Sequence, residues 1–352
     1  MTVYEERAAE WTARRSRSHI SDARRLAAAV PDGAPRVDLG CGPGFHLPYL
    51  GRPVVAVDAA RAMLELARAE APRALLVQAD LESLPFRDHS LGGAWARASY
   101  LHVPRYRLPL ALARLHWAMP PYAPLVMFVR HGDEEGALGE TGDFPGRFFA
   151  EWRAGPLRDV LVGAGFLVDE IDEDRGHKAE FLVVRARRAR SLPDTVGPRM
   201  RLLVCGLNPS VYAADRGVGY ARPGNRFWSV ALATGLVGRD RDPLDALEVH
   251  GVGMTDLVKR ATRTAAELTP REYQDGAARV ERLVRWLQPA AVLFVGLAGW
   301  RAAVDADAVA GVQPEPFGGV PAYVMPSTSG ANARTQMGDL VRHVRAAAAL
   351  AR

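Results

Sequence analysis

Two successive α/β domains are what this sequence predicts, and three observations carry the expectation. The chain has 352 residues, more than one ordinary hydrophobic core supports, with 48% hydrophobic and 24% charged residues. Short apolar runs suited to buried strands alternate with helical stretches in both halves. Two of those runs, Arg36 to Leu39 and Arg201 to Cys205, break at glycine into turns of small residues. Strands do this where an open sheet turns its carboxyl ends toward a ligand.

Composition narrows the classes of function. No run approaches the roughly 18 apolar residues of a membrane span, and the N-terminus is charged instead of carrying an apolar signal segment. The expectation is a protein of the bacterial cytoplasm with no membrane partner, acting at the nucleoid. Cys41 and Cys205 are the two cysteines, one per half, which supports neither a disulfide framework nor a zinc site. No metal is expected. The formal charge of +5 favours a polyanionic partner, although nearly all of it is arginine, with Lys178 and Lys259 the two lysines.

In the N-terminal half, residues 4 to 30 read as one or two helices, with Ser21-Asp22 as a cap. The cluster Arg14, Arg15, Arg17, Arg24 and Arg25 reads as a solvated face. The strand from Arg36 then runs into Gly40, Gly42 and Gly44, with Asp38 inside it. These glycines let the backbone approach a ligand, and a following helix N-terminus offers free amides. A strand from Pro53 to Val57 ends in Asp58, placed to accept hydrogen bonds from ribose hydroxyls. A third, Ala74 to Gln78, leads to Asp80, an acid suited to an adenine amino group. This is a doubly wound nucleotide-binding plan.

A dinucleotide fingerprint requires G-x-G-x-x-G, whereas the spacing here is G-x-G-x-G. That spacing resembles the class I S-adenosylmethionine-dependent methyltransferases. The resemblance runs over about residues 30 to 185, through Ser83 to Asp88, Leu101 to Pro104, and Gly163 to Phe166 ahead of the last strands. It implies a Rossmann-like methyltransferase domain over residues 1–186, with S-adenosylmethionine held by Asp38, Gly40, Gly42, Gly44, Asp58 and Asp80. The stretch Trp95 to Tyr100 has neither the [DNS]-P-P-[YFW] tetrapeptide of amino-methylating nucleic-acid enzymes nor a Pro-Cys nucleophile. The methyl acceptor stays open among a small molecule, an RNA and no substrate at all. His102 and His116 read as packing or surface residues.

Arg185 to Pro198 carries four arginines, two prolines and a glycine with no apolar period, and reads as an exposed linker over 187–199. Beyond it the expected elements alternate again. They are a strand to Cys205, a helix from Arg226 to Thr234, a strand-like run from Val252 to Leu257, and a helix opening at Thr269-Pro270 with a Thr269/Glu272 capping box. Strands Ala291 to Val295 and Ala322 to Met325 follow, and a final helix spans Met337 to Leu350. Asn208 falls at the carboxyl end of the first of these strands. Its carboxamide can fix a water or a base edge but has no useful pKa. Tyr220 to Trp228 has an aromatic at each end, and Val320 to Arg334 ends in a Pro-Ser turn followed by small residues and an arginine. An aromatic platform, a polar loop without acid or base, and a small-residue loop with arginine make a base-flipping constellation.

Four stretches then carry a specific resemblance, in order over roughly Met200 to Leu350. Gly206-Leu-Asn-Pro209, Tyr220 ahead of Asn225-Arg-Phe-Trp228, Gly253-Met-Thr-Asp-Leu-Val258 and Met325-Pro-Ser327 resemble the motifs of the mismatch-specific uracil/thymine DNA glycosylases. The resemblance implies a uracil-DNA glycosylase-like α/β sandwich over residues 200–352, acting as a monomer on double-stranded DNA with a mismatched or damaged pyrimidine, with uracil opposite guanine as the expected base and thymine or a modified pyrimidine as alternatives. It implies no cofactor for this half. By the same resemblance Asn208 positions the attacking water, and amides near Leu207 and Tyr220 hold the base. The Tyr220 ring stacks on the base, Ser210 and Asn225 border it, and Ser327, Ser329, Gly330, Ala331 and Arg334 face the DNA. Ser210 stands where the family has glycine, and its hydroxymethyl group, turned inward, would crowd a thymine methyl. The loop from Thr328 to Arg334 reproduces neither wedge of the family. Lys259 lies where the family places no catalyst, so the enzyme reads as monofunctional. A rival reading makes the protein chiefly an S-adenosylmethionine-dependent methyltransferase whose C-terminal half recognises a nucleic-acid base without cleaving it.

Overall fold

Runs of valine, leucine and alanine with few charges suit strands buried on both faces, and such strands form the centre of each half of the chain. The computed structural model describes residues 2–15, 17–139, 144–175 and 180–351. It divides into two units, Met1–Val162 with Phe166–Ala189, and Gly163–Gly165 with Arg190–Arg352.

In the first unit β1 (Arg36–Leu39), β2 (Val54–Asp58), β3 (Leu75–Gln78), β4 (Gly93–Arg97) and β5 (Pro124–Arg130) pair in parallel. A small hairpin of β6 (Glu135–Ala137) and β7 (Phe148–Ala150) stands apart from them. Antiparallel strands β8 (Phe166–Arg175) and β9 (Glu180–Arg188) complete a seven-stranded sheet of order β3-β2-β1-β4-β5-β9-β8. The strand order reverses between β1 and β4, which opens a crevice at their carboxyl ends. Trp95 and Phe128 pack with Leu47 and Leu50 in the core of this unit.

Three helices precede β1, at Thr2–Glu6, Ala8–Ala13 and Ile20–Ala29. The last begins behind His19, whose φ of 61° is left-handed, and not at Ser21-Asp22. Asp22 is unavailable as a cap because its carboxylate accepts from Arg185 at 2.9 Å. The N-terminal arginines form the paired, solvated face expected of them: Arg14 meets Glu10 and Arg17 meets Glu70, each at 2.6 Å, while Arg24 lies over Tyr49. His102 is packed between the Tyr4 hydroxyl and the Phe148 carbonyl, and His116 is fully buried against Phe166.

The arginine-rich stretch is not an exposed linker. Arg185 and Arg187 belong to β9, where they form cross-strand ion pairs with Glu170, Asp172 and Asp169 of β8, while Ala186 between them and Val183 and Val184 before them are buried. The units divide at Ala189 and Arg190, and residues 191–197 are buried. Thr195 exchanges two backbone hydrogen bonds of 2.9 Å with Met254, so this segment extends the edge of the second sheet.

That second sheet contains β10 (Leu202–Gly206), β11 (Val252–Asp256), β12 (Ala291–Val295), β13 (Gly311–Val312) and β14 (Ala322–Met325) in the order β11-β10-β12-β14-β13. All pairs are parallel except β13 with β14. Helices Phe227–Ala233 and Met337–Leu350 bury Trp228, Val230, Leu340 and Val344 in its core. Helix Pro270–Leu287 opens with the expected box, Thr269 and Glu272 each serving the other's backbone amide. The strand bounds expected from Ala291 and Ala322 hold, and so does the final helix. Helices Val211–Arg216, Pro243–Glu248 and Leu297–Ala303 are additional.

Candidate functional site

Each unit gathers its polar residues at the carboxyl ends of its central strands. In the first, Gly40, Gly42 and Gly44 all have left-handed φ values, of 69°, 52° and 84°. A Cβ on Gly40 would lie 2.4 Å from that of Ser99, and one on Gly44 would lie 2.9 Å from the Ala67 backbone, so larger residues would push the turn off the segment that follows β4 and off the helix Arg61–Glu70. Asp58 fastens this turn, accepting from the Gly42 amide and the Ala60 amide at 2.9 Å each. Asp80 is exposed just past β3 and accepts from the Glu82 amide. Asp38 is only 2% exposed, and its Oδ2 accepts no hydrogen bond among the described residues. Burial, with the Asp58 carboxylate nearby, pushes its pKa up to about 8 against the pull of Arg97. Ser99 Oγ and Trp11 Nε1 are likewise buried and unpaired, and the Trp11 ring comes within 3.8 Å of where a Gly42 Cβ would stand. An orphan acceptor and two orphan donors around a glycine cradle are what a ligand carrying both ammonium and carboxylate would satisfy.

The second unit places Asn208 just beyond β10. Its Nδ2 donates to the Arg260 carbonyl at 3.0 Å and to Thr262 Oγ1 at 2.8 Å, with a longer contact of 3.2 Å to the Pro209 carbonyl. A carbonyl accepts and cannot donate, so this network fixes which end of the carboxamide is nitrogen. Oδ1 is left as the unengaged atom among the described residues. Backbone bonds of 2.9 Å from Leu257 to the Gly206 carbonyl and from Val258 to the Leu207 carbonyl stitch the exit of β11 to that of β10. Half-buried Leu207 therefore lies on a fixed turn.

Tyr220 has a left-handed φ of 58°, and its ring stacks on Phe227 at 4.1 Å and 21°. One face of the ring is taken by this partner. Its hydroxyl is buried without a partner among the described residues. That hydroxyl lies 2.9 Å, and Oδ1 of Asp256 2.5 Å, from the place a Cβ on Gly206 would occupy. Any side chain at position 206 would evict one of them.

One expected base contact is corrected and another is narrowed to a single atom. Ser210 caps the helix Val211–Arg216, its Oγ accepting from the Ala213 amide at 3.1 Å, so its hydroxymethyl group is turned to a helix end instead of inward. Asn225 commits its Oδ1 to the Phe227 amide at 2.9 Å and the Thr328 hydroxyl at 3.0 Å, which makes it a latch between two loops; its Nδ2 alone remains for a base.

The loop after β14 is rigidly held. Arg226 donates to the carbonyls of Thr335, Asn332 and Ser329, and Asn332 Nδ2 donates to the Ser327 carbonyl at 2.9 Å. Ser327 and Ser329 accept from the amides of Ser329 and Ala331, leaving each hydroxyl hydrogen for an outside acceptor. Gly330, Ala331 and Arg334 are exposed on this loop. Lys259 is not a free amine: its Nζ meets the buried Asp194 at 2.8 Å, as Arg279 does from helix Pro270–Leu287. Burial opposes ionisation of Asp194, but Arg279 and Lys259, with the Thr255 hydroxyl, hold its carboxyl below the usual range.

Asp256, at the end of β11, is the functional candidate that sequence reasoning passed over. Its half-buried carboxylate makes no hydrogen bond among the described residues. Burial and the nearby Asp194 push its pKa up to about 6 against Lys259 and Arg279. The signal was present in the sequence, since Asp256 ends a strand just as Asp58 does.

Comparison with known proteins places a domain in each half. Residues 37–118 match the family model described as a methyltransferase domain, and residues 193–350 match that of the uracil DNA glycosylase superfamily. Among solved structures, the chain resembles an S-adenosylmethionine-dependent methyltransferase from Methanosarcina mazei at 18% identity and a TM-score of 0.42, covering 47% of this chain and 97% of that one. It resembles the 1,6-didemethyltoxoflavin-N1-methyltransferase of Burkholderia thailandensis, solved with bound 1,6-didemethyltoxoflavin and S-adenosylhomocysteine, at 23% and 0.43, covering 53% and 84%. The magnesium protoporphyrin IX methyltransferase of Synechocystis PCC 6803 matches at 16% and 0.39, covering 49% and 79%. One region of the chain thus matches a methyltransferase domain and another the uracil DNA glycosylase superfamily.

Proposed function

We propose that the C-terminal domain hydrolyses the N-glycosidic bond of uracil mispaired with guanine in double-stranded DNA, as a monofunctional glycosylase, and that the N-terminal domain binds S-adenosylmethionine. The observation that carries the first reading is Asn208. Its nitrogen is tethered to Arg260 and Thr262 and its oxygen is unengaged at a strand's carboxyl end, where it can accept a hydrogen bond from a water. The base departs as an anion, and backbone amides at Leu207 and Tyr220 stabilise it in the manner of an oxyanion hole, where one donor is worth about 3 kcal/mol. Ser327 and Ser329 donate to a phosphate beside the flipped nucleotide. The tie between Lys259 and Asp194 supports hydrolysis without a Schiff base, because an ammonium held in a buried ion pair is no nucleophile.

For the N-terminal domain, the unpaired Asp38 Oδ2 and the glycine cradle suit the amino-acid end of the cofactor, and Asp58 still has lone pairs for ribose hydroxyls. When bound, the cofactor would supply an electrophilic methyl group. Asp38, Asp58 and the cradle only bind and orient it.

The test combines two measurements on the intact chain. Incubation with a G·U duplex followed by alkali should cleave the strand with wild-type protein and not with Asn208→Ala, while the mutant still binds an abasic duplex. Single-turnover release by the mutant at the wild-type rate would sink the glycosylase reading. Calorimetry should show S-adenosylmethionine binding that weakens markedly in Asp58→Ala; equal binding in both proteins would remove Asp58 from the site, and absent binding in both would remove the cofactor.

A further inference from the structure

The glycosylase reading leaves the attacking water positioned by a carboxamide that cannot take its proton. We infer that Asp256 is the general base that takes it, a catalytic carboxylate supplied by β11 instead of by the loop that carries Asn208. This rests on the glycosylase reading and deepens it.

Three observations of geometry support the role. Residues 206 and 256 are register partners on adjacent parallel strands, so Asp256 leaves its sheet beside the turn that carries Asn208. The two exits are tied together by the Leu257 and Val258 amides and by the Asn208 side chain reaching the Arg260 carbonyl, which fixes the carboxylate and the carboxamide in one frame. Gly206 has no side chain, and the space is shared by Asp256 Oδ1 and the Tyr220 hydroxyl. The carboxylate accepts no hydrogen bond among the described residues, while a neighbouring carboxylate, Asp194, is paired with Lys259 and Arg279 and accepts from the Thr255 hydroxyl. One acid is locked as a structural anion and its neighbour is left unengaged.

The groups facing Asp256 come from every element around it: Lys259 from its own strand exit, Arg279 from helix Pro270–Leu287, Asp194 from the segment before β10, Cys205 from β10, and Tyr220. With a pKa of about 6, Asp256 is mostly ionised at neutral pH and still basic enough to accept a proton. In the step itself the bond between C1′ and the base N1 breaks, and its electron pair leaves on the base. Water oxygen bonds to C1′, and the water's proton passes to Asp256 and then to solvent.

The experiment is single-turnover uracil release from a G·U duplex between pH 5 and 8, by wild type, Asp256→Asn and Asp256→Glu, with abasic-duplex binding as the check on folding. Wild-type rate should climb about tenfold per pH unit below about 6 and level off above it. Asp256→Asn should be about a hundredfold slower at pH 7.5 with a flat profile, and Asp256→Glu should recover part of the rate together with the pH dependence. An Asp256→Asn rate within threefold of wild type, with the same pH profile, overturns the assignment while the glycosylase stands. A flat wild-type profile does the same even if the Asn variant fails to fold. No release by wild type at any pH removes the glycosylase reading and this role with it.

Discussion

At position 210 a single side chain decides between two accounts of which base is accepted. A serine turned inward would penalise thymine by the ~1–3 kcal/mol that one methyl is worth in a tight pocket. The structure gives its hydroxyl to the Ala213 amide instead, where it serves as an N-cap. Replacing Ser210 by glycine is therefore expected to leave the ratio of uracil to thymine release unchanged, because no group that bars thymine is removed. Replacing it by alanine should lower stability by about 1 kcal/mol through the lost cap. Parallel release assays on G·U and G·T duplexes with a denaturant melt check both, and a narrowed uracil preference in Ser210→Gly would restore the gate. Sequence placed Ser210 at the site, but a rotamer is chosen by competing donors, and the Ala213 amide exists as a free donor only once the short helix after Pro209 has formed.

At the scale of elements, the strands and helices of the second unit that the sequence named were legible almost to the residue because each is bounded by a strong local signal, whereas three short helices and β13 went unnamed. The Thr269/Glu272 box opens a helix, and Gly206 ends a strand. What escaped was decided by partners distant in sequence. Arg185 and Arg187 look like linker charges until β8 supplies Asp169, Glu170 and Asp172 across from them. Asp256 looked like a spacer within a motif until β10 brought Gly206 alongside. Arg226 read as part of a motif, yet its guanidinium holds the carbonyls of the loop after β14. Arg226→Ala should therefore loosen residues 327–335, seen as faster amide exchange there. Bonds to a charged donor contribute about 1.5–3 kcal/mol each, so the loss should raise KM for the duplex more than it lowers kcat. Exchange protection identical to wild type would contradict the clamp.

At the scale of the whole molecule, the place where one unit ends matters for any attempt to separate them. The sequence suggests a start at residue 200, but Asp194 and Thr195 belong to the second sheet's edge and its buried ion pairs. A fragment beginning at Met200 would leave Lys259 and Arg279 without their carboxylate. Stranding one side of a buried pair costs about 3–5 kcal/mol. A fragment of residues 190–352 should thus unfold at clearly higher denaturant concentration than one of residues 200–352, and equal midpoints would show the segment to be dispensable.

Arg226 and Phe227 are consecutive, one gripping the loop after β14 and the other carrying the Tyr220 ring. On the glycosylase reading, a base that shifts the aromatic pair would act on the loop one peptide bond away, which would link occupancy of the pocket to grip on the backbone. Linkage is reciprocal. On the glycosylase reading, whatever factor free uracil imposes on affinity for an abasic strand, the strand imposes on uracil.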